Sequence, residues 1–245
     1  MISTITATHN RSYLLPRAFA SWMNQTKKAD ELIVVNDASM DDTGQVLENL
    51  TRGMDFVQYY KFDTKGGVAT AKNKGISLAN PNSFTHILDD DDVLYPNFYE
   101  RMVEEIGNND VIFCPFYVVK EVLQPNGTLI EIHREIMQDW KGFIPGKQKE
   151  RPYISMVCSL FRPGFFKDYG MFREDMKFCI EWPVLLTAEL RGAKFKYLDE
   201  VLGEIRWRWG PFTDNLGFNK SPIHLQQLRP IIDSVINKEV TQDGD

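Results

Sequence analysis

The feature of this sequence that most constrains its fold is an alternation of short apolar segments with helix-like segments in the first half. The clearest apolar segment is Glu31–Asn36, ELIVVN, which is apolar at almost every position. Continuous runs of this kind are typical of parallel strands that are covered on both faces. Strands that alternate with helices predict βαβ units and a mostly parallel sheet. The predicted strands are Ile2–Thr8, Glu31–Asn36 and residues 56–60 and 84–88, and the predicted helices are residues 13–23, 42–50 and 68–79.

The second half of the sequence has a mixed pattern. Residues 111–122 and 129–133 flank an Asn126-Gly127 turn, so a hairpin is predicted there. Residues 141–152, which are polar and hold two glycines and two prolines, are predicted to form a flexible active-site loop. The other predicted elements are a strand at 154–161, a helix at 182–191, one or two strands within 194–209, and an amphipathic stretch at 224–236 that Pro230 is expected to kink or split. No sharp change of composition marks a linker, so a single domain is predicted.

Composition and charge exclude several classes of protein. The 245 residues include 34 acids against 28 Lys and Arg, a net charge of −6, which argues against duplex DNA or an anionic membrane as the main partner. Cys114, Cys158 and Cys179 are too few and too scattered for a disulfide framework or a zinc site, and are predicted to be core thiols. No apolar run is long enough to span a bilayer, and the N-terminus lacks the pattern of a secretory signal. These features predict a cytoplasmic globular protein with no strong nucleic-acid signal.

Four consecutive acids, Asp89, Asp90, Asp91 and Asp92, directly follow the predicted strand at 84–88 and form what we term the aspartate run. Adjacent carboxylates repel one another, and many such runs are only solvated turns. However, ligands of open α/β sheets bind beyond the carboxyl ends of the strands, where this run lies. Hard cations such as Mg²⁺ and Mn²⁺ commonly bind one or two carboxylates together with substrate phosphates. The aspartate run is therefore predicted to bind a metal ion and a diphosphate.

Two further polar clusters follow predicted strands. After Glu31–Asn36, Asp37 is placed to accept the imide N–H of uracil or thymine; guanine offers a similar donor and cytosine does not. The acids farther along that loop are expected to cap the next helix. After Ile2–Thr8, His9 is placed to stack on a base, although a lone histidine is more often structural. The two clusters predict a nucleotide site at the same edge of the sheet as the aspartate run.

Five short motifs, in this order, resemble the inverting glycosyltransferases of family two, which have the GT-A fold. They are ATHNR at residues 7–11, SWMNQT at 21–26, ELIVVNDASMDDT at 31–43, GG with AKNKG at 66–67 and 71–75, and LDDDDVLYP at 88–96. A fainter likeness continues at Ile180-Glu181-Trp182 and in the predicted strand before Arg206-Trp207-Arg208. Each motif alone is weak, but the order and separation of all five make the resemblance specific.

The resemblance implies a single GT-A domain over residues 1–245, an α/β fold with a mostly parallel, Rossmann-like central sheet flanked by helices and a mixed second half. A nucleotide-sugar-binding half is expected at residues 1–107, an acceptor-binding half at 108–215 and a helical tail at 216–245. The implied activity is inverting transfer of a sugar from a nucleotide-diphospho-sugar, with UDP favoured, to a hydroxyl of a glycan or another acceptor. A lipid-linked acceptor would bring the protein to the periphery of a membrane. The motifs specify neither the sugar, the acceptor nor the oligomeric state.

The resemblance also implies a metal ion, Mn²⁺ or Mg²⁺, and a set of residues at the donor. Asp91 is expected to be the principal metal ligand, with Asp92 as a helper and Asp89 on the metal or the ribose. Such a cation would act as a Lewis acid that neutralises the leaving diphosphate. The residues implied at the nucleotide-sugar are Thr8, His9, Asn10, Arg11, Asp37, Lys72, Asn73, Asp89, Asp90 and Arg208.

Glu181 is implied to be the catalytic base. On the face of the sugar opposite the diphosphate, a carboxylate has to take the proton of the attacking hydroxyl. Glu174 and Asp175 are nearby substitutes for this role, and without it Glu181 would only complement a helix N-terminus. Arg208 stands where many family members have a metal-binding histidine. Because a guanidinium cannot ligate a metal, Arg208 is expected to hold the diphosphate instead.

Two other classes of function remain open from the sequence. A GT-A-like module could bind a nucleotide-sugar without turnover, and the presence of Arg208 in place of the histidine favours this reading somewhat. Asp89-x-Asp91-x-Val93 also fits a phosphatase-type loop, in which the first aspartate is a nucleophile and the second an acid/base. That loop normally follows the first strand of its domain, whereas three predicted strands precede it here. Trp182, Trp207 and Trp209 are candidates either for stacking on a sugar or for the core.

Overall fold

The structure, a computed structural model, describes residues 1–137, 142–209 and 222–242. The strands are β1 (Ile2–Thr8), β2 (Glu31–Asn36), β3 (Val57–Lys61), β4 (Phe84–Ile87), β5 (Val93–Leu94), β6 (Val111–Phe113), β7 (Phe116–Leu123), β8 (Leu129–Met137), β9 (Ser159–Phe161), β10 (Phe195–Tyr197) and β11 (Gly203–Trp209). The helices are α1 (Leu15–Met23), α2 (Thr43–Thr51), α3 (Val68–Leu78), α4 (Phe98–Ile106), α5 (Phe165–Tyr169), α6 (Glu181–Leu190) and α7 (Pro222–Gln242), with a 3₁₀ turn at Lys147–Lys149.

Seven strands form the larger of two sheets, in the order β10-β6-β9-β4-β1-β2-β3. Strand β1 pairs in parallel with β2 and β4, β2 with β3, and β10 with β6. Only β9 is antiparallel to its neighbours within this described sheet. The predicted α/β fold with a mostly parallel central sheet flanked by helices is therefore confirmed. The sheet takes β6, β9 and β10 from the second half of the chain.

The burial of β2 explains why its sequence is apolar at almost every position. Ile33 and Val35 belong to a core cluster that also contains residues of α3, α5 and α6. Leu32 and Val34 belong to a second cluster, with residues of α1, α2 and α4. Since successive side chains of a strand point to opposite faces, helices cover this strand on both sides.

Strands β5-β11-β7-β8 form the smaller sheet. Strand β11 is parallel to β7 and antiparallel to β5, and β7 and β8 form a hairpin. Strand β5 begins at Val93, directly after the aspartate run. The smaller sheet is thereby attached to the loop that follows β4, and β11 is brought beside that loop.

The observed hairpin differs from the one predicted at residues 111–122 and 129–133. The first part of that prediction, Val111–Phe113, is the separate strand β6, which pairs with β9 and β10 in the larger sheet. The hairpin consists of β7 and β8 alone. Pro115 lies between β6 and β7 and has no N–H to donate to a sheet, so the chain leaves one sheet there and enters the other.

Three other elements differ from their predictions. The strand predicted at 154–161 is limited to Ser159–Phe161. Helix α4 was not predicted, although Phe98, Met102 and Ile106 are buried at helical spacing. In the tail, helix α7 continues through Pro230, so the predicted split is not observed. Residues 216–221 and 243–245 of the predicted tail, and residue 141 of the predicted loop, lie outside the described residues.

Two predictions about composition concern the membrane and the cysteines. Over residues 1–137, 142–209 and 222–242, every helix is too short or too polar to cross a bilayer. Cys114 and Cys158 are buried, as predicted for core thiols. Cys179 is only half-buried and lies beside the cleft described below.

Candidate active site

The carboxyl ends of β1 and β4 lie at the same edge of the larger sheet, and the residues that follow these strands border a cleft of about 210 Å³. Its lining includes Arg11 from the loop after β1, Lys72 from α3, and all four acids of the aspartate run. Glu181, at the start of α6, lines the same cleft. The fold therefore brings together the predicted acids, two predicted donor contacts and the predicted base, at the edge where α/β sheets bind ligands.

The aspartate run is a turn that is largely withdrawn from water. The N–H of Asp92 donates to the carbonyl of Asp89 over 3.2 Å, which closes the turn. Asp90 and Asp92 are 2% exposed, whereas the side chain of Asp89 is 38% exposed. Charged carboxylates are costly to bury unless they are paired. This burial distinguishes the run from a solvated acidic turn.

Basic groups pair with the acids of the run. Arg11 donates from Nη1 to Asp90 at 2.9 Å and to Oδ2 of Asp91 at 3.2 Å. Arg208, which is 3% exposed in β11, donates from Nη2 to the same Oδ2 of Asp91. The carboxylate of Asp91 thus lies between two guanidinium groups. Arg208, predicted to lie at the donor, contacts the run directly.

The environment separates the pKa values of the buried acids. Burial raises the pKa of Asp90 to about 6. Burial, together with the charges of its neighbours in the run, raises the pKa of Asp92 well above its usual value. Burial acts in the same direction on Asp91, but the charges of Arg11 and Arg208 hold the pKa of Asp91 below its usual value. Asp91 is therefore an anion at neutral pH, whereas Asp92 retains its proton more readily than an ordinary aspartate.

Lys72 links the aspartate run to the base candidate. Its Nζ lies 2.6 Å from Oδ1 of Asp89, and its side chain is 8% exposed. Burial alone would lower the pKa of Lys72, but the carboxylate of Asp89 and, to a smaller extent, the charge of Glu181 raise it. Lys72 is therefore a cation that interacts electrostatically with the carboxylates of Asp89 and Glu181.

The acids of the aspartate run that could offer oxygen ligands to a divalent ion have other partners. Mg²⁺ and Mn²⁺ require oxygen atoms that can face the ion. Asp89 is paired with Lys72, Asp91 with two arginines, and Oδ1 of Asp92 accepts the backbone N–H of Arg206 at 2.8 Å. Among the described residues, no group of three or more His, Cys, Asp or Glu side chains is arranged to hold a metal ion. The described donor set does not fit a resident divalent ion, and the metal-ligand roles stay predictions.

Asp37 is buried and holds the loop before α3. Its two carboxylate oxygens accept the backbone N–H groups of Gly66 at 2.6 Å and Gly67 at 2.9 Å. Gly67 has a φ of +97°, a conformation that only glycine adopts readily. The contact joins the motif that contains Asp37 to the glycine pair that precedes α3. Recognition of the base by Asp37 stays a prediction.

The loops after β1 and β2 are fastened to each other by two predicted donor contacts. His9 Nδ1 lies 2.5 Å from the carbonyl of Asp37, and the N–H of Asn10 donates to Ser39 Oγ at 2.9 Å. Asn10 has a φ of +52°, which a non-glycine residue adopts at an energetic cost. Thr8, at the end of β1, is buried. In the described chain these three residues lie outside the cleft lining, so their nucleotide contacts stay predictions.

The position of Glu181 differs from that of its predicted substitutes. Glu174 accepts a hydrogen bond from Asn73 Nδ2 at 2.9 Å, and Asp175 is paired with Arg173. Neither acid is among the described residues that line the cleft, whereas Glu181 is. Asn73 joins α3 to the segment at 172–174 through this bond and others to Phe172, and its contact with the nucleotide-sugar stays a prediction.

The three tryptophans have different surroundings. Trp182 is 1% exposed, and its indole N–H donates to the carbonyl of Gln148, so it is a core residue. Trp207 lines the cleft and remains a candidate for stacking on a sugar. The side chain of Trp209 lies outside the described residues.

Three residues of the site were not predicted from the sequence. Arg17 in α1 donates to the backbone carbonyl of Asp91 at 3.1 Å and to Glu121. Glu121 is 2% exposed in β7 and also accepts from Arg206. Its strand contains a register shift between Lys120 and Glu121, which disturbs the two-residue alternation by which a strand residue is assigned to a face. A basic residue on the first helix carries no such signal.

Comparisons with known proteins identify the family and the fold type of this chain. The sequence profile described as glycosyl transferase family 2 matches residues 3–170, more than half of the chain. The uncharacterized glycosyltransferase EpsJ of Bacillus subtilis is 26% identical over 214 residues, which are 82% of this chain and 60% of EpsJ. The chain thus spans about three-fifths of the length of this relative.

Two solved structures share the fold. Residues 1–349 of S. aureus TarS, in complex with UDP-GlcNAc, superpose with a TM-score of 0.71 at 20% identity, over 96% of this chain and 66% of that one. The mannosyltransferase PcManGT of Pyrobaculum calidifontis, in complex with GDP-Man and Mn²⁺, has a TM-score of 0.63 at 16% identity, over 83% of this chain and 56% of that one. At these identities the likeness concerns the fold, which matches the predicted GT-A type. With the profile match, it follows that the chain belongs to glycosyl transferase family 2.

Proposed function

We propose that this protein is an inverting glycosyltransferase, which moves a sugar from a nucleotide-diphospho-sugar to an acceptor hydroxyl in a single displacement. The observation that carries the proposal is the cleft, which Glu181 lines together with the aspartate run, Lys72 and Arg11. A group-transfer site of this kind needs a proton acceptor for the nucleophile and positive charge for the leaving diphosphate. Glu181 supplies the first, and Lys72 with Arg11 supplies the second.

The proposed step uses one carboxylate and no covalent intermediate. The acceptor oxygen forms a bond to the anomeric carbon while the bond from that carbon to the β-phosphate oxygen breaks. The electron pair of the broken bond leaves with the nucleoside diphosphate, and Glu181 takes the proton of the acceptor hydroxyl. Because attack and departure are on opposite faces of the sugar, the configuration inverts.

UDP is the proposed nucleotide. Its uracil offers the imide N–H that Asp37 was predicted to accept, and the structural relative TarS is described in complex with UDP-GlcNAc. The proposed division keeps residues 1–107 as the donor half, 108–215 as the acceptor half and 216–245 as a helical tail. The acceptor is a glycan or another hydroxyl compound. A cytoplasmic location, peripheral to a membrane if the acceptor is lipid-linked, belongs to the same proposal.

Metal assistance, which the sequence predicted, stays a prediction. In its favour, the structural relative PcManGT is described with Mn²⁺. Against it stand the basic groups that already occupy the acids of the run. The phosphatase alternative loses support because the aspartate run follows β4, with three strands of the same sheet before it in the chain. A binding module without turnover is the alternative that the following experiment addresses.

The test is a screen of nucleotide-sugars for nucleotide release, with and without candidate acceptors. The wild-type protein is expected to release UDP from at least one UDP-sugar. Glu181→Gln is expected to bind the same donor and to lose about 100-fold or more of the turnover, in line with the contribution of a general base. Glu104→Gln, an exposed glutamate of α4, is the matched control and is expected to keep full activity.

Three results would contradict the proposal. Donor binding without any turnover by the wild type would favour the binding module. Unchanged turnover in Glu181→Gln would remove Glu181 as the base. A loss of turnover in Glu174→Gln, but not in Glu181→Gln, would move the base to Glu174.

A further inference from the structure

We propose that fixed cationic side chains take the place of a divalent ion in this site: Arg208 occupies the carboxylate of Asp91, and Lys72 and Arg11 hold the donor's diphosphate. The inference deepens the proposed function and rests on it. Its starting point is the disagreement between the metal ion that the resemblance implies and the contacts of the aspartate run. It predicts that the protein binds its nucleotide without a metal.

Arg208 is a buried residue of a paired strand and not a surface side chain. It lies in β11, whose residues 204–209 pair with β7 on one side, and it is only 3% exposed. Its Nη2 donates to Oδ2 of Asp91, the residue predicted to be the principal metal ligand. The motif resemblance places the metal-binding histidine of many family members at this position. The chain therefore places a permanent positive charge where a ligand for a positive ion would be needed.

A divalent ion that binds Oδ2 of Asp91 would have to displace two guanidinium groups. Arg11 reaches the same oxygen at 3.2 Å and Asp90 at 2.9 Å. A buried charge that loses its partner is strongly unfavourable, so the strand-bound Arg208 opposes such a displacement. At Asp92, one of the two carboxylate oxygens, Oδ1, is engaged by the backbone N–H of Arg206. The arrangement disfavours the ion and leaves the carboxylates to hold cations in place.

The positive charge that faces the diphosphate comes from Lys72 and Arg11. Both line the cleft, and both are held at defined positions by acids of the run, Lys72 by Asp89 and Arg11 by Asp90 and Asp91. Guanidinium and ammonium groups bind phosphate oxygens through charge-assisted hydrogen bonds, and arginine does so in a bidentate manner. Groups that are fixed before the reaction stabilise the developing charge without reorganisation.

The experiment measures UDP binding to the wild-type chain by calorimetry, once with excess EDTA and once with excess MnCl₂. The expected dissociation constants agree within about twofold. Binding of Mn²⁺ without nucleotide would be detected as a loss of the electron paramagnetic resonance signal of the free ion. No such loss is expected. If UDP binds only with Mn²⁺, the inference is overturned and the proposed function stands. If UDP binds under neither condition, the UDP donor proposal fails, and the inference fails with it.

Arg208→His provides the converse test, because it restores a potential ligand at the same position. Mn²⁺ is expected to tighten UDP binding to this variant by about tenfold or more, while leaving the wild type unchanged. Arg208→Lys, which keeps the charge and adds no metal ligand, is the control and is expected to remain independent of Mn²⁺. An equal response to Mn²⁺ in the wild type and Arg208→His would contradict the inference. The measurement on the wild type is decisive even if a variant does not fold.

Discussion

At the scale of single residues, the site is organised by the sharing of charge. Oδ2 of Asp91 accepts from two arginines that come from distant parts of the chain, one in the loop after β1 and one in β11. Lys72 approaches Asp89 from α3. Asp89, Asp90 and Asp91 therefore fix the positions of basic side chains, and an anionic donor would meet those basic side chains. The acidic residues were identified directly from the sequence, whereas the basic residues were identified only through the family motifs.

Lys72→Met tests the contribution of one of these bases. Methionine has a similar length and no charge, so the variant loses a charge-assisted hydrogen bond to the diphosphate, and UDP binding is expected to weaken about 10- to 100-fold. Lys74→Met, on the same helix but outside the described cleft lining and packed over the ring of Tyr60, is the matched control. Its affinity for UDP is expected to equal that of the wild type. Calorimetry that finds equal losses in both variants would contradict the assignment.

His86 is a buried group that contributes to the pH dependence of stability. It is fully buried in β4, where burial lowers its pKa to about 4 from 6.5. Nε2 donates to the carbonyl of Val157 at 2.8 Å, and Nδ1 accepts from the hydroxyl of Tyr99 at 2.9 Å. The folded protein holds a neutral imidazole, whereas the unfolded chain binds a proton below its ordinary pKa.

The free energy of unfolding should therefore fall as the pH decreases from 6.5 towards 4, because the unfolded chain takes up the proton first. Between pH 7 and pH 4.5 the contribution of His86 to this fall is expected to be about 2–3 kcal/mol. Urea unfolding of the wild type and of His86→Gln at both pH values measures it. The variant is expected to be less stable at pH 7 but to lose less on acidification. Parallel pH profiles would show that His86 does not titrate as described.

At the scale of secondary-structure elements, hydrophobic pattern predicted the first half of the chain well. Strands β1 to β4 and helices α1 to α3 lie within one or two residues of their predicted bounds. Strand β2 is apolar because it is covered on both faces, and polar loop residues mark where the elements end. The prediction was poorer after residue 110. There the chain changes sheet at Pro115, and β9 consists of only three residues, too few to show a periodicity. Which sheet a short strand joins depends on tertiary contacts.

The contact between α3 and β1 gives a prediction at this scale. Gly75 faces Ile5 so closely that an added Cβ would collide with the Cγ2 methyl group. Gly75→Ala is therefore expected to destabilise the protein by about 1–2 kcal/mol, because the cost of overpacking exceeds the gain in helix propensity. Gly44→Ala in α2 is the matched control, since its Cβ would lie 3.5 Å from the hydroxyl of Tyr59, an ordinary contact.

Urea denaturation compares the two glycine variants. Gly44→Ala is expected to be as stable as the wild type or more stable by up to about 1 kcal/mol. The close approach at Gly75 also explains the glycine of the AKNKG motif, which brings Lys72 on the same helix against the aspartate run. Equal stabilities of the two variants would mean that α3 does not need this approach.

At the scale of the whole molecule, the net charge of −6 says little about the ligand. Acids and bases converge on one cleft, and a network of ion pairs extends from it. Arg17 and Arg206 both donate to Glu121, so helix α1 and strand β11 are joined through β7. Arg17 also binds the backbone of Asp91. The network attaches the aspartate run to the smaller sheet, which forms part of the proposed acceptor half.

The candidate site was predictable in part from the sequence. Asp89, Asp91, Lys72 and Glu181 were identified from motifs that place them after strands or at the start of helices, and they meet in the cleft. The pairing of Arg208 with Asp91 was not predicted, because Arg208 lies in β11 and Asp91 in the turn after β4, far apart in the chain. The pairing of the buried Glu121 with the half-buried Arg17 was likewise not predicted, since each residue alone resembles an ordinary surface charge. Pairings between distant charged residues require the three-dimensional structure.

The most direct test of the account follows the anomeric configuration of the sugar as the wild-type protein hydrolyses an α-linked UDP-sugar, with water as the acceptor. Proton NMR at early times distinguishes the anomers before they interconvert. A single displacement assisted by Glu181 predicts that the β anomer is released first. Initial release of the α anomer would indicate retention of configuration and would contradict the proposed mechanism.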